Sequence, residues 1–69
     1  MKIFGERLKE IRDERGVSMS ELARQMKTSH QNISRWESGE IVPGGETLVK
    51  LANFLKVSAD YLLGIRNDY

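Results

Sequence analysis

The sequence has no cysteine, a single proline and no long apolar run. The lack of cysteine excludes disulfides and thiolate metal sites. The longest apolar stretches, such as Tyr61-Leu62-Leu63, are far shorter than the roughly 20 residues that a transmembrane helix requires. The first residues also lack the apolar segment and the cleavage site of a signal peptide. We therefore expect a cytoplasmic protein that makes no membrane contact.

Residue patterns for catalysis are missing as well. No nucleophile is paired with a general base, no two carboxylates share a predicted pocket, and Gly44-Gly45 lacks the strand and lysine of a phosphate-binding loop. The single histidine, His30, has no second histidine or cysteine with which to bind a metal. We expect no enzymatic activity, no cofactor and no metal.

The net charge is only +1, which gives little general attraction for nucleic acid. Its distribution is more informative, because residues 22–36 carry Arg24, Lys27 and Arg35 without any acid. This stretch is the only sizeable one of a single sign. Three charges alone are equally well explained by chance clustering on a solvated face.

Apolar residues recur at helical spacing, and strand alternation is absent. The first helix is marked by apolar residues at i, i+4 and i+7: Phe4, Leu8 and Ile11. Gly16 is placed to end this helix in the left-handed conformation. Ser18 and Glu21 spell a capping box, in which the hydroxyl accepts from the Glu21 amide and the carboxylate accepts from the Ser18 amide. A second helix therefore begins there and extends to about Met26.

The third helix follows a short Lys27-Thr28 connection. Ser29 is a second N-cap residue, and the helix stops near Gly39. We expect Ile33 and Trp36 to face inward. The small Ala23 of the second helix lies where the two helices would cross most closely.

The last third of the chain predicts two more helices. Residues 40–45, which include Pro43, form a loop. The fourth helix has an apolar stripe made of Leu48, Leu51, Ala52 and Leu55, with Val49 and Phe54 contributing. Ser58 then caps a short fifth helix that contains residues 61–63 and ends at Gly64.

These elements predict one all-α domain over residues 1–64, a compact bundle of five helices, followed by a polar tail over residues 65–69. Its second and third helices are each too short to be stable alone in water. Since a connection of only a few residues joins them, they have the geometry of a helix-turn-helix.

The outward positions of the third helix all carry hydrogen-bonding side chains: His30, Gln31, Asn32, Ser34 and Arg35. A merely solvated face would contain more Glu and Lys. Gln and Asn can bind adenine through two hydrogen bonds, and Arg can do the same with guanine. We predict that this face contacts DNA bases, although His30 on its own is equally well read as a surface polar residue.

At these spacings, residues 7–63 resemble the Cro/phage-repressor helix-turn-helix family, also called the xenobiotic-response-element family. The resemblance is carried by Leu8-Lys9-Glu10-Ile11-Arg12, Gly16-Val17-Ser18, Glu21-Leu22-Ala23, Ser29 to Gly39, Pro43, Glu46-Thr47-Leu48, Leu51-Ala52 and Val57-Ser58. It implies a lambda-repressor-like domain that binds operator DNA, usually as a dimer. His30, Gln31 and Arg35 match the usual base readers, while Asn32 and Ser34 match positions that contact bases or backbone in some members.

We assign phosphate contacts to residues at helix ends and to the central cations: Ser18, Met19, Arg24, Lys27, Ser29 and Ser38. The resemblance also implies a buried ion pair between Arg12 and Glu37; the alternative is two ordinary surface charges. On the outer face of the first helix, Lys9 and Asp13 are spaced for a surface pair.

Three departures from the family pattern reduce the expected phosphate contacts. Met19 stands where Gln is frequent, Lys27 where Gly is frequent, and Glu40 where Lys or Arg is frequent. We therefore expect weaker non-specific binding and a greater dependence on dimerisation.

The leading hypothesis is a sequence-specific transcriptional regulator, expected to be a repressor, that binds double-stranded DNA as a homodimer. Its dimer interface is expected in the loop after Gly39, the last two helices and the tail, with candidate residues Leu62, Leu63, Ile65 and Tyr69. The alternative is a protein-interaction module, for example the antitoxin of a toxin–antitoxin pair. Met19, Ile41 and Val42, expected to be exposed, motivate this alternative.

Overall fold

The computed structural model describes the whole chain, residues 1–69. Its five helices, with no strand, are α1 (Lys2–Glu14), α2 (Met19–Gln25), α3 (His30–Ser38), α4 (Gly45–Leu55) and α5 (Ala59–Leu62). The predicted all-α bundle is therefore confirmed. Gly45, expected in the preceding loop, is the first residue of α4. None of the helices is long and apolar enough to cross a lipid bilayer.

Serine hydroxyls set the starts of three helices. The Oγ atoms of Ser18, Ser29 and Ser58 accept from the backbone amide three residues further on, at 3.0, 3.1 and 3.0 Å. Of the two hydrogen bonds in the predicted capping box, only the one from the Glu21 amide to the Ser18 hydroxyl forms. The Glu21 carboxylate accepts from Arg24 and Gln25 of its own helix instead, at 2.9 and 3.3 Å, rather than from the Ser18 amide. A charge-assisted bond to a guanidinium is stronger than one to a neutral amide.

Thirteen apolar side chains from all five helices and their connections form one core: Phe4, Leu8, Ile11, Leu22, Ala23, Ile33, Trp36, Leu51, Ala52, Leu55, Val57, Tyr61 and Leu62. Leu48 and Phe54 pack against its edge. The expectation that Val49 contributes to the α4 stripe is wrong, since Val49 is 56% exposed. It follows Leu48 by about 100° around the helix and so turns away from the core.

Helices α1 and α3 approach each other closely at Gly5. A Cβ atom at this position would lie 2.4 Å from the carbonyl oxygen of Glu37 and 2.6 Å from that of Trp36. Only a residue without a side chain therefore allows the N-terminal part of α1 to rest on the C-terminal part of α3. Helical spacing does not predict this role of Gly5, because it shows nothing about which backbone crosses the helix there.

The predicted polar tail packs back onto the bundle. The amide of Ser58 donates to the carbonyl oxygen of Tyr69 at 2.8 Å. The Tyr69 ring lies edge-on to the Tyr61 ring, with centroids 5.0 Å apart, and below the guanidinium of Arg15. Its hydroxyl bonds to the Glu14 carboxylate. The tail thus adds an aromatic contact to the outer side of α1.

Arg7 of α1 links the tail to α5. Its guanidinium lies 4.4 Å from the centroid of the Tyr61 ring and donates to the Tyr61 carbonyl at 2.7 Å. It also donates to the Arg66 carbonyl and, at 2.9 Å, to the Asn67 side chain. These contacts hold residues 66 and 67 against α1.

We predict that Gly5→Ala lowers the free energy of unfolding by about 1–3 kcal/mol, because the new methyl group forces α1 away from α3. Gly45→Ala is the matched control, since no atom lies within 4 Å of its Cβ position and Ala favours the helix. Urea denaturation measures both. Equal stability of the two variants would contradict the close approach.

A second prediction concerns the two tyrosines of the chain. Burial, followed by the hydrogen bond to Glu10, raises the pKa of Tyr61, and the hydrogen bond to Glu14 raises the pKa of Tyr69. The folded state therefore holds these protons more tightly than the unfolded state does. Their contribution to stability is complete below the ordinary pKa of about 10 and is lost as the pH rises through the raised values. Tyrosinate absorbance should titrate at higher pH in native protein than in protein unfolded by guanidinium; coincident curves would contradict this.

Candidate nucleic-acid interface

Helices α2 and α3 form the predicted helix-turn-helix. They have seven and nine residues and are joined by Met26–Ser29. Lys27 stands in the turn where glycine is frequent in the family, and it takes the left-handed conformation, with φ +55°. The Thr28 amide donates to the Ala23 carbonyl at 2.9 Å, which closes the turn. Ala23 is buried, as expected for a small residue at the crossing.

One side of α3 is anchored and the opposite side faces solvent. Ile33 is fully buried and Trp36 is 5% exposed. Four of the five predicted base readers are exposed: His30, Gln31, Ser34 and Arg35. The fifth, Asn32, is half-buried and donates from Nδ2 to the Thr28 hydroxyl at 2.9 Å. Part of its hydrogen-bonding capacity therefore serves the turn.

Arg12 and Glu37 form the predicted ion pair beneath this surface. The Arg12 Nε and Nη2 atoms donate to the two Glu37 carboxylate oxygens at 2.6 and 3.2 Å, and Nη1 donates to the Val17 carbonyl at 2.8 Å. Both side chains are less than 10% exposed. The hydrogen bond to Glu37 raises the pKa of Arg12, so the guanidinium stays charged.

An open depression of about 300 Å³ lies over this ion pair, between α1, the start of α2 and α3. Lys9, Met19, Ser34 and Ser38 line it together with Arg12 and Glu37. The predicted surface pair of Lys9 with Asp13 is wrong. Asp13 lies 3.3 Å from Arg12 Nη1 instead, because the carboxylate of Asp13 reaches the fixed guanidinium of its neighbour.

Lys9 is therefore a site candidate that the sequence reading missed. It precedes Arg12 by three residues, and this helical spacing places it on the same side of α1. The spacing alone was insufficient, because it does not show that this side borders α2 and α3.

The predicted phosphate-contacting residues are distributed around α2 and α3. Met19 and Ser38 meet at the depression, where Met19 is half-buried rather than exposed. The Ser18 and Ser29 hydroxyls accept from helix amides, and the Ser38 hydroxyl donates to the Arg35 carbonyl at 3.0 Å. All three serines are exposed, as are the two central cations, Arg24 and Lys27.

Carboxylates from outside the positive stretch offset part of its charge. Glu21 lies 2.9 Å from Nη2 of Arg24, and Glu40 lies 3.4 Å from Nε of Arg35. Lys9 and Lys27 form no ion pair. Of the three cations in this stretch, Arg24 and Arg35 are paired and only Lys27 is not.

The candidate dimer residues differ in accessibility. Leu62 is fully buried in the core and cannot form an interface, which corrects its assignment. Ile65 is 71% exposed, Tyr69 is 47% exposed and Leu63 is half-buried. Leu62 is the last residue of α5, and its side chain is part of the apolar core.

We predict that Glu37→Gln lowers the free energy of unfolding by about 3–5 kcal/mol, because it leaves the buried Arg12 charge with only the exposed carboxylate of Asp13 nearby. Arg24→Ala breaks an exposed ion pair and is the matched control, with a loss of about 0–1 kcal/mol. Thermal and urea unfolding measure both. A small loss for Glu37→Gln would mean that water reaches Arg12 in solution.

The chain matches the family model described as "Helix-turn-helix" over residues 8–62. It is 42% identical over 61 residues to the HTH-type transcriptional regulator ImmR of Bacillus subtilis, a match that covers 88% of this chain and 48% of ImmR. The chain thus spans about half the length of this relative.

Two solved structures have the same fold. The P22 c2 repressor in complex with synthetic operator 9T superposes with a TM-score of 0.87 at 33% identity, covering 96% of this chain and 100% of that one. The biofilm regulator SinR in complex with DNA gives a TM-score of 0.78 at 34% identity, covering 87% and 97% of the two chains. With this fold, the α2–α3 motif and the matched residues, the chain belongs to the helix-turn-helix family of the Cro/phage-repressor type.

Proposed function

We propose that this chain is a DNA-binding transcriptional regulator that reads operator DNA by placing α3 in the major groove. The proposal rests on one observation: α3 has a buried apolar side and an exposed polar side. Ile33 and Trp36 hold the helix on the core, and Gln31, Ser34 and Arg35 project from its exposed side. An α-helix with such a side fits the major groove, and its N-terminal residues are the ones that reach base edges.

The exposed side chains suit specific base contacts. Gln31 can donate to and accept from adenine, and Arg35 can donate two hydrogen bonds to guanine. Because Gln31 and Arg35 are four residues apart, they lie on one face of α3, one helical turn from each other. His30 and Ser34 lie beside them and can each make a single contact. Asn32 remains a proposed contact through the groups that Thr28 does not use.

The proposed phosphate contacts surround this reading face. The depression over the Arg12–Glu37 pair joins Lys9 to the first turn of α2 and to Ser38. The N-terminus of a helix attracts phosphate through its free amides and its dipole. Ser18, Met19, Ser29, Arg24 and Lys27 complete the proposed set around α2 and its turn.

We further propose that the regulator binds as a homodimer in the cytoplasm and represses transcription by covering a promoter. The nine residues of α3 extend about 13 Å, which is well below the roughly 34 Å of one DNA turn. One copy therefore reads a short half-site, and two copies related by a two-fold axis would read half-sites one turn apart. Ile65, Tyr69 and the loop with Ile41 are the exposed surfaces proposed for the interface. The P22 c2 repressor and SinR, both solved with DNA, support the DNA-binding part of the proposal by analogy.

A protein partner is the second candidate function. Ile41 and Val42 are 41% and 38% exposed, directly after the helix-turn-helix. Such residues favour a module that also binds another protein, as an antitoxin does. A salt titration of DNA binding distinguishes the two functions. Only for a protein that contacts phosphates does the affinity for DNA fall steeply between about 50 and 200 mM salt.

We predict that Arg35→Ala and Gln31→Ala each weaken binding to the preferred duplex by about 1–3 kcal/mol and relax the preference at one base pair. The duplex is first obtained by selection from a random oligonucleotide pool. Asn53→Ala, at an exposed polar residue of α4, is the control and should bind as the wild type does. Fluorescence anisotropy measures the affinities. Unchanged base preference in both α3 variants would refute their assignment as readers.

We also predict that Lys9→Ala weakens binding to selected and scrambled duplexes by similar factors and reduces the slope of log K against log salt by about 1. A phosphate contact has this signature, because it releases one counterion but carries no base information. Lys50→Ala, which removes an exposed lysine of α4, controls for the change in net charge. Loss of preference without a change in slope would contradict the assignment of Lys9.

A further inference from the structure

Glu40 is the one carboxylate that the fold pairs with a proposed base reader. Its Oε2 atom lies 3.4 Å from Nε of Arg35, and the two side chains are 62% and 47% exposed. An ion pair this exposed adds little to stability. The Glu40–Arg35 pair therefore matters mainly for how Arg35 contacts DNA.

The backbone holds Glu40 beside Arg35. Gly39 ends α3 in the left-handed conformation, with φ +85°. This turn lets the Glu40 amide donate back to the Arg35 carbonyl at 3.0 Å, and the Ile41 amide lies 3.4 Å from the same oxygen. The two residues are thus joined through the main chain as well as through their charges. Because the backbone is already fixed, the pair forms at a lower entropy cost than one between two mobile segments.

The contact brings the Glu40 carboxylate nearest to Nε of the Arg35 guanidinium and leaves the Nη atoms without a hydrogen bond. A guanidinium has five N–H donors in a rigid plane, of which one is on Nε and four are on the two Nη atoms. The closest approach of Glu40 is to Nε, at 3.4 Å without a hydrogen bond, and neither Nη atom of Arg35 donates a hydrogen bond within the protein, so the Nη edge is free to donate. The free edge carries two parallel donors, which is the arrangement that the O6 and N7 atoms of guanine accept.

We infer that Glu40 is a specificity-determining residue that acts by positioning Arg35. Its carboxylate directs the Nη edge of Arg35 outward to a guanine and opposes the use of the same guanidinium on a phosphate, because the carboxylate repels that anion. Glu40 thereby weakens binding to random DNA more than it weakens binding to the preferred sequence. The inference rests on the proposed function, since it requires α3 to read bases.

The test compares Glu40→Gln with the wild type on the duplex enriched by selection and on a scrambled duplex of equal composition. Glu40→Gln should bind scrambled DNA about three- to tenfold more tightly, with a salt slope steeper by about 1, because Arg35 becomes free to contact a phosphate. Affinity for the selected duplex should change less than about twofold, since the contact to guanine is retained. The ratio of the two affinities should therefore fall by about three- to tenfold.

Two further variants separate positioning from simple charge. Glu46→Gln removes the same unit of charge from an exposed acid at the start of α4 and should leave the affinity ratio unchanged. In an Arg35→Ala background, Glu40→Gln should no longer alter the ratio. Circular dichroism checks that each variant is folded.

The outcomes distinguish this inference from the proposed function. If selection enriches no duplex, the proposed function fails. If the wild type discriminates but Glu40→Gln has the wild-type ratio, or Glu46→Gln lowers the ratio equally, Glu40 has no specific role. A loss of discrimination by Glu40→Gln that persists without Arg35 also overturns the inference, because the effect would not pass through Arg35.

Discussion

The buried contact of Arg12 with Glu37 connects the parts of the molecule that must keep a fixed geometry. A single guanidinium in α1 bonds to the last turn of α3 and to the carbonyl of Val17, which lies immediately before the cap of α2. The three donors of Arg12 therefore fix α2 and α3 to the same point on α1. Such a pair contributes less net stability than its short distances suggest, because both charges lose their hydration. What it adds is geometry, since a displaced helix would leave a charge without a partner.

The remaining features of the helix-turn-helix depend on that fixed frame. Helices of seven and nine residues are marginal in water, so α2 and α3 exist because their apolar sides enter a shared core. Gly5 lets α1 approach the carbonyls of Trp36 and Glu37, and this contact brings α1 close enough for Arg12 to reach its partner. Trp36 and Ile33 then set the rotation of α3 about its axis. The buried residues Ile33 and Trp36, which cannot contact DNA, thus determine which face of α3 is exposed.

Local chemistry explains which parts of this arrangement could be predicted from the sequence. Caps at Ser18, Ser29 and Ser58, the stops at Gly16 and Gly39, and the inward turn of Trp36 all follow from residues close together in the chain. The contacts that escaped prediction join distant segments: Gly5 with α3, Arg7 with the tail, and Lys9 with the edge of α2. Spacing gives the face of a helix on which a residue lies, but it does not identify the element that packs there. The Glu21 carboxylate shows a related limit, because two local partners competed for it and the sequence did not rank them.

The distribution of charge on the folded surface determines what kind of DNA binding this frame can support. Arg24 and Arg35 each face a carboxylate, so few cations near α3 are free to replace counterions on a phosphate backbone. Since non-specific affinity depends on that replacement, a surface of this kind has a small sequence-independent contribution. In the proposed function, tight binding then comes from hydrogen bonds to bases and from the proposed combination of two copies on adjacent half-sites. Both depend on the orientation of α3 to a fraction of an ångström, because a hydrogen bond weakens steeply once its distance and angle depart from the optimum. A weakly charged DNA-binding face therefore requires a rigid support, and the link from Arg12 to Glu37 provides it.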